Sequence, residues 1–239
     1  MPEVYVLIIP SFGLINYQLS QYTSNYIFGS ISMILALISI LIFGSLVWAH
    51  HMYTTNLESD TNLYFSILTL VIAIPTGTKL YNWLFLTYSQ PFNVLQTHNL
   101  PLLLCFLFLL IIIQGGVTGI ILGNNILDLQ LHDTYYVVSH FHYILSVGSV
   151  LSIVLTLVQI SSYISPARVE SFMISCFDIT YLSILFILLN VIFLPMYFLG
   201  FNTMPRRHPD YADYLFPWNS VSTIGVVTFY LTVLVLILS

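Results

Sequence analysis

Apolar side chains fall into seven long runs that short polar segments separate. Each run is roughly 20 residues or longer, the length at which a helix crosses the apolar part of a bilayer. The runs are apolar on both faces, whereas strands of a membrane β-barrel alternate. They lie near residues 2–21, 27–48, 61–88, 98–122, 134–163, 171–200 and 217–239. The pattern predicts an all-α fold, a polytopic transmembrane bundle of about seven helices, forming one membrane-embedded module over residues 1–239. The connections, including 123–133 and 200–217, are predicted to be short polar loops.

Composition supports the membrane assignment and excludes one class of partner. Hydrophobic residues make up 58% of the chain and charged residues 5%, and the mean hydropathy is +0.94. The net charge of −5 and the lack of a basic stripe argue against a nucleic-acid partner. The few cationic side chains give no charge bias from which to read the membrane orientation. They are Lys79, Arg168, Arg206 and Arg207.

Two closely spaced histidines in the fifth run are the first candidates for chemistry. A histidine inside a membrane helix is costly and indicates a functional site. His140 and His142 are two residues apart, so on a helix they point about 200° away from each other. They cannot share one metal, but each can hold its own cofactor, with Phe141 between them. Because haem iron accepts an axial imidazole, the spacing predicts one helix that holds two haems.

The segment that contains these histidines, 132–142, resembles the haem-copper oxidase family, in its catalytic subunit I. Further matching stretches, in the order and spacing of that subunit, are 2–5, 47–51, 73–79 and 204–207. The resemblance implies the back half of a subunit of about twelve helices. It also implies that this chain is the C-terminal product of a split subunit, completed by a separate N-terminal fragment.

The resemblance assigns the haem and copper ligands. It implies that His140 is the axial ligand of a high-spin haem and that His142 is an axial ligand of a low-spin haem, both of the haem A type. Phe141 would lie between the two haems, although a plain core aromatic is the alternative. His50 and His51 would bind the copper that faces the high-spin haem. From the residues alone, this histidine pair could equally be an interfacial one. The second axial ligand of the low-spin haem would come from the missing half.

The resemblance places residues for proton transfer and oxygen chemistry at the start of the chain, namely Glu3 and Tyr5. A carboxylate such as Glu3, placed in hydrocarbon, can relay protons, and the resemblance implies that it ends one proton-uptake path. The alternative is a glutamate in water near the chain terminus. Tyr5 matches a tyrosine that the family cross-links to a copper-ligand histidine four residues earlier, but Met1 stands at that position. Three explanations stay open. The N-terminal fragment supplies the histidine, the Met1 thioether binds copper itself, or the site is degenerate or the sequence imperfect at its first residue.

Lys79 and Thr76 lie one turn apart in the third run and resemble a second proton-uptake path, which leads toward the tyrosine. A lysine within a span is costly, so we expect a water-lined cavity around it. The alternative is a lysine that extends to the membrane surface.

A set of polar residues outside the spans resembles the family's magnesium and propionate sites. His132 and Asp133 would bind magnesium, with a further ligand from subunit II. The haem propionates would be held by Asp128, Arg206 and Arg207, since guanidinium groups bind carboxylates in a bidentate manner. Solvated loop arginines are the alternative.

The function implied is that of the catalytic core of a respiratory terminal oxidase, which reduces O₂ to water and pumps protons. It would act only with its partner fragment, subunits II and III and accessory subunits, with cytochrome c as electron donor through subunit II. The implied location is the mitochondrial inner membrane, as a multi-pass protein, or less favourably a bacterial plasma membrane. The alternatives are a quinol-oxidising relative and a degenerate, non-catalytic scaffold subunit. A transporter or channel would explain Glu3 and Lys79 but not the paired histidines.

Overall fold

Helices account for nearly all of the chain that the structure describes. The computed structural model describes residues 2–23, 26–88, 100–164 and 172–238. Its α-helices are α1 Pro2–Thr23, α2 Ser30–Leu46, α3 Ser59–Val71, α4 Ala73–Tyr88, α5 Leu100–Gly123, α6 Asn125–Leu131, α7 Tyr135–Phe141, α8 Gly148–Ile164, α9 Phe172–Phe201 and α10 Phe216–Leu238. Two short 3₁₀ turns cover Trp48–His51 and Asp213–Leu215, and a π-helical turn covers His142–Val147.

The seven predicted apolar runs correspond to helices at the same places in the chain. Five helical spans within the described residues are long and apolar enough to cross a membrane. They are Ser59–Tyr88, Leu102–Gly123, Tyr135–Leu157, Thr180–Phe201 and Asp213–Val235. The apolar helix α2 is shorter, and α1 occupies the first run. The prediction of a transmembrane helical bundle is confirmed.

The hydropathy pattern suggested one continuous helix for the third run, but the structure has two. The run divides at Ile72 into α3 and α4. Pro75 lies three residues further on and has no backbone N–H to donate to the preceding turn. The Ile72 amide bonds to the Thr69 carbonyl oxygen at 3.3 Å, a tighter turn than that of an α-helix. The proline therefore interrupts the hydrogen-bond ladder within this span.

The connection at 123–133 also differs from the predicted loop, because it contains the short helix α6. Asn124 precedes this helix, and its side-chain oxygen accepts a hydrogen bond from the Ile126 amide at 3.1 Å. Asparagine is among the preferred residues at this capping position. Asp128 follows in the first turn, where a carboxylate is favourable near the positive end of the helix dipole.

The main core is formed by side chains from α1, α4, α5, the π-helical turn, α8 and α9. Ile15, Phe108 and Leu155 are fully buried within it. The outer helix α10 instead exposes apolar side chains, such as Ile224 and Leu231. Lipid is as apolar as these side chains, so packing and polar contacts hold membrane helices together more than hydrophobic burial does.

Two buried polar pairs join α1 to α8. The Ser152 hydroxyl donates to the Ser11 hydroxyl oxygen at 2.9 Å, and the Gln18 amide nitrogen donates to the side-chain oxygen of Gln159. The partners are 141 residues apart in both pairs, so the two helices run in the same direction. Each pair gives a buried donor an acceptor that hydrocarbon cannot provide, although Gln18 Oε1 has no hydrogen-bond partner among the described residues.

Candidate functional site

His140 is held by the neighbouring helix α5. Its Nδ1 atom lies 3.0 Å from the Gly115 carbonyl oxygen and 3.1 Å from the Thr118 hydroxyl oxygen. Because a carbonyl oxygen can only accept, Nδ1 carries the proton and Nε2 keeps its lone pair. Metal-binding histidines are usually held by such a bond, which fixes the ring orientation and the tautomer.

Two glycines of α5 make room for this imidazole and for a side chain one turn further along. A Cβ at Gly119 would lie 2.8 Å from His140 Cε1, and a Cβ at Gly115 would lie 2.4 Å from Ile144 Cγ1. The glycines are four residues apart, so they share one face of α5. Small residues at this spacing let membrane helices approach closely. Sequence reasoning missed this role, although the Gly-x-x-x-Gly pattern was visible in the chain.

His142 is held within its own helix. Its Nδ1 atom lies 2.8 Å from the Val138 carbonyl oxygen, so this ring also donates through Nδ1 and leaves Nε2 free. The π-helical turn begins at this residue; such turns are frequent at functional sites. The Phe141 ring lies beside the His142 ring, with centroids 4.1 Å apart and planes tilted by 30°. The two histidines thus have separate anchors, one on α5 and one on α7.

His50 and His51 lie in the 3₁₀ turn that follows α2, and their ring centroids are 4.3 Å apart. His50 Nδ1 is 3.2 Å from the Thr69 hydroxyl oxygen. That hydroxyl donates its proton to the Phe65 carbonyl at 2.6 Å, so it accepts from Nδ1–H and leaves the His50 Nε2 lone pair free. Burial, then repulsion from His51, lowers the pKa of His50 to about 3. Burial lowers the pKa of His51 to about 4. Both imidazoles are therefore neutral near pH 7, the form that binds metal.

The loop before α7 is paired with the loop after α9. Arg206 Nε lies 2.6 Å from Asp133 Oδ1, and the Arg206 amide donates to the Asp133 carbonyl at 2.8 Å. The second carboxylate oxygen, Oδ2, lies 3.5 Å from His132 Nε2. Slight burial raises the pKa of Asp133, but the hydrogen bond and charge of Arg206 outweigh it and hold the pKa below its usual value. The structure thus brings together His132 and Asp133, predicted to bind magnesium, and Arg206, predicted to bind a propionate.

Asp128 lies on α6, next to this pair of loops. It is buried, and its Oδ2 atom has no hydrogen-bond partner among the described residues, although His132 Nδ1 is 3.5 Å away. Burial raises the pKa of Asp128 to about 6, against the opposing effect of His132. Arg207 is exposed and has a φ of 64°. Within the described residues, no three His, Cys, Asp or Glu side chains form a group that could hold a metal ion.

Lys79 is buried beside two aromatic rings, and the water-lined cavity expected around it stays a prediction. Its side chain is 1% exposed, and Nζ lies 5.2 Å from the centre of the Phe12 ring and 5.3 Å from that of Trp83. No described residue accepts a hydrogen bond from Nζ. Thr76 donates to the Ile72 carbonyl of its own helix at 3.0 Å.

Tyr5 lies on α1 against α2. A Cβ added at Gly44 would come within 2.8 Å of the Tyr5 ring, so the glycine makes room for this ring. The Glu3 side chain and the whole of Met1 fall outside the described residues. The predictions made for those two side chains therefore stay predictions.

The geometry agrees with the comparisons to known proteins. The family model described as "Cytochrome C and Quinol oxidase polypeptide I" matches residues 2–228. The chain belongs to this family. It is 47% identical over 226 residues to "Cytochrome c oxidase subunit 1" of Plasmodium berghei, covering 94% of this chain and 46% of that protein. It is 44% identical over 234 residues to the protein of the same name from Candida albicans, covering 98% and 43%.

A solved structure shows the same fold. The structure titled as that of a heme-copper terminal oxidase dimer aligns with a TM-score of 0.78 at 17% identity, covering 97% of this chain and 45% of that one. The chain therefore spans slightly less than half the length of these oxidase subunits. The resemblance to the haem-copper oxidase family is confirmed.

Proposed function

We propose that this chain is part of the catalytic core of a respiratory terminal oxidase, which reduces O₂ to water and pumps protons across the membrane. One observation carries the proposal. His140 and His142 each donate through Nδ1 to a backbone carbonyl, which leaves two Nε2 lone pairs on one short helical segment. Axial haem ligation uses a nitrogen of this kind.

His140 would hold the high-spin haem and His142 the low-spin haem, both of the haem A type. When bound, the haems supply electron transfer and the site of O₂ reduction. The protein orients each imidazole through its carbonyl bond, and Phe141 stacks beside His142. The second axial ligand of the low-spin haem would come from the front half of subunit I.

The copper that faces the high-spin haem would be held by His50 and His51. Their neutral imidazoles and the anchored Nδ1 of His50 support this role, because nitrogen-rich ligation suits copper. A third ligand would come from the same front half of subunit I, the part of the family's subunit that this chain does not span.

Protons and the final reducing equivalent would pass through Glu3, Tyr5, Lys79 and Thr76. Tyr5 carries a hydroxyl that can give up a proton and an electron, and it lies on the same helix as Glu3. Lys79 places a proton-carrying group among apolar side chains. Such groups within membrane spans usually mark proton pathways.

Magnesium would be bound by His132 and Asp133, completed by subunit II. The Oδ2 atom of Asp133 lies near His132 while Oδ1 is held by Arg206, which supports a shared site. Arg206, Arg207 and Asp128 would contact the haem propionates. The unpartnered oxygen of Asp128 suits a protonated carboxyl or a bound water at that position.

The remaining partners would be subunits II and III, accessory subunits and the membrane lipid, with cytochrome c donating electrons through subunit II. The curated relatives named above come from eukaryotes and are called cytochrome c oxidase subunit 1. Their names support cytochrome c over quinol as the donor, and their eukaryotic origin supports the mitochondrial inner membrane as the location.

The test is haem analysis of the purified native complex carrying His142→Ala or His140→Ala. The first change should remove the low-spin haem spectrum and the second the high-spin spectrum. His208 is exposed, so His208→Ala is the matched control and should change neither. A wild-type complex without haem would favour the scaffold alternative. Full haem content in both variants would contradict the ligand assignment.

A further inference from the structure

Three amide and hydroxyl side chains form a hydrogen-bonded cluster within the apolar bundle. The Tyr143 hydroxyl donates to Gln114 Oε1 at 2.6 Å and lies 3.5 Å from Asn190 Oδ1. The Gln114 amide nitrogen donates to Asn190 Oδ1 at 3.2 Å, and the Asn190 amide nitrogen donates to the Phe186 carbonyl at 2.8 Å. We call Gln114, Tyr143 and Asn190 the polar triad.

The polar triad joins three elements at one level of the bundle. Gln114 lies on α5, Tyr143 in the π-helical turn and Asn190 on α9. Tyr143 is fully buried, and its ring packs edge-on against Phe193, with centroids 5.1 Å apart. A buried hydroxyl or amide in hydrocarbon is costly unless it is paired, so these bonds oppose any separation of the three elements.

Two members of the triad are chain neighbours of the haem-site residues. Gln114 directly precedes Gly115, whose carbonyl accepts from His140. Tyr143 directly follows His142. The Tyr143–Gln114 bond therefore connects the residue before Gly115, which holds His140, to the residue after His142. It crosses from α5 to the π-helical turn, where Gly115 and Ile144 are also in close contact.

We infer that the polar triad is a positioning network that sets the orientation of the two haem-ligand histidines relative to each other. The inference rests on the proposed function, because it concerns the two haems assigned above. The triad itself touches neither imidazole in any hydrogen bond of the described residues. It acts through the backbone, by holding the π-helical turn in register with α5.

The π-helical turn makes this restraint necessary. An α-helix repeats its hydrogen bonds every four residues, and a π turn inserts one extra residue into that pattern. The turn begins at His142, so the junction between α7 and the turn lies between His140 and His142. Two helical segments that could rotate independently would change the angle between His140 and His142. The Tyr143–Gln114 bond opposes this rotation from a fixed point on α5.

The experiment uses the native oxidase complex with Tyr143→Phe, Gln114→Leu or both changes in this chain. The matched control is Tyr181→Phe. It removes a hydroxyl of the same kind from α9, where Tyr181 donates to the Thr232 carbonyl at 3.5 Å, away from the histidines. The readouts are the midpoint potential of the low-spin haem and the electron paramagnetic resonance signature of its axial ligands.

Either single variant should shift both readouts. We expect the midpoint potential to shift enough to change the equilibrium constant for reduction of the low-spin haem about threefold or more, the size of one lost neutral hydrogen bond. The double variant should show the same shift as Gln114→Leu alone, because Gln114→Leu already removes the Tyr143–Gln114 bond and the Gln114–Asn190 bond. Tyr181→Phe should leave both readouts at their wild-type values. Unchanged readouts in the single variants, or additive shifts in the double variant, would overturn the inference.

Failures of folding and of function are separable in this design. A variant that lowers complex yield but leaves the haem signature unchanged would show that the bond only stabilises the fold, which also overturns the inference. If a single variant yields no complex, the double variant is measured, since it leaves no unpaired amide at Gln114, and it must show the shifted signature. A wild-type complex without haem would instead overturn the proposed function.

Discussion

The Nδ1 atom of His140 lies 3.0 Å from the carbonyl oxygen of Gly115, so a backbone atom of one membrane helix fixes the tautomer of a histidine on another. The bond can form because Gly115 and Gly119 present a side-chain-free face toward α7 and the π-helical turn. The orientation of the proposed haem ligand thus depends on two residues that have no reactive group of their own.

A methyl group on that glycine face should displace the imidazole. In Gly119→Ala, the new Cβ would lie 2.8 Å from His140 Cε1, closer than van der Waals contact allows. Turnover of the native complex should fall about tenfold to hundredfold, as expected for a ligand moved by a fraction of an ångström. The high-spin haem spectrum should shift as well.

The neighbouring glycine provides the control for this prediction. A Cβ at Gly116 would meet nothing within 4 Å among the described residues. Gly116→Ala, three residues away on the same helix, should leave turnover and spectrum unchanged. Equal effects of the two substitutions would mean that α5 tolerates no alanine here, for reasons unrelated to His140.

The Thr118 hydroxyl should tune the same ligand more weakly. It lies 3.1 Å from His140 Nδ1 and 3.2 Å from the Tyr197 hydroxyl. Thr118→Val keeps the side-chain shape, and the Gly115 carbonyl still anchors the ring. We expect the stability of the complex to fall by about 1 kcal/mol. The iron–histidine stretching frequency, measured by resonance Raman spectroscopy, should also shift. Thr228, whose hydroxyl donates to carbonyls of its own helix, provides the control Thr228→Val, and a shift there would contradict the prediction.

Removal of the Lys79 charge should lower turnover without lowering the stability of the complex. Nζ contacts the rings of Phe12 and Trp83 and has no acceptor among the described residues. Lys79→Met keeps most of the apolar contact, so yield and thermal stability of the complex should be unchanged or higher. Turnover should fall about a hundredfold if Lys79 relays protons.

The control for Lys79 lies one residue earlier. The exposed fraction of Thr78 is larger, and its hydroxyl donates to the Ile74 carbonyl of its own helix. Thr78→Val should therefore preserve turnover. A Lys79→Met complex that forms poorly but works normally per molecule would assign Lys79 a structural role only.

The serine pair between α1 and α8 should contribute modestly to stability. Ser11→Ala or Ser152→Ala should each lower the stability of the complex by about 0.6 kcal/mol, the average for hydrogen bonds between membrane helices. The double variant should cost no more than one of the single changes, measured by thermal unfolding in detergent. Ser20 donates to the Tyr17 carbonyl of its own helix, so Ser20→Ala is the control. Additive losses would show that the two hydroxyls act independently.

Sequence reasoning located the spans and singled out His140 and His142 because both inferences depend on the cost of polar groups in hydrocarbon. The apolar runs exceed the bilayer length, and His140 and His142 are exceptional within one of them. The geometry of a regular helix also predicted that the two side chains point in nearly opposite directions. It could not foresee that a π-helical turn begins at His142, because that insertion depends on packing against α5 and α9.

Other features were in the chain but were not interpreted. Asn124 before an apolar segment is a capping signal, and α6 follows it. Pro75 predicts the interruption at Ile72 by its missing N–H. The setting of Lys79 could not be foreseen, since the rings that enclose it come from α1 and α4 and meet only in the folded bundle.

The two polar pairs between α1 and α8, seven residues apart on each helix, fix the position of α1 along α8. If α1 slid along α8 by one turn, about 5.4 Å, Gln18 would face Leu155, which is fully buried and offers no polar atom. The serine contact would be broken by the same slide. The two pairs form together in this register, and Tyr5, on the same helix, is held at one level along α8. The register of the helix with which this sequence starts is thus set by amides and hydroxyls, not by the residues proposed for its chemistry.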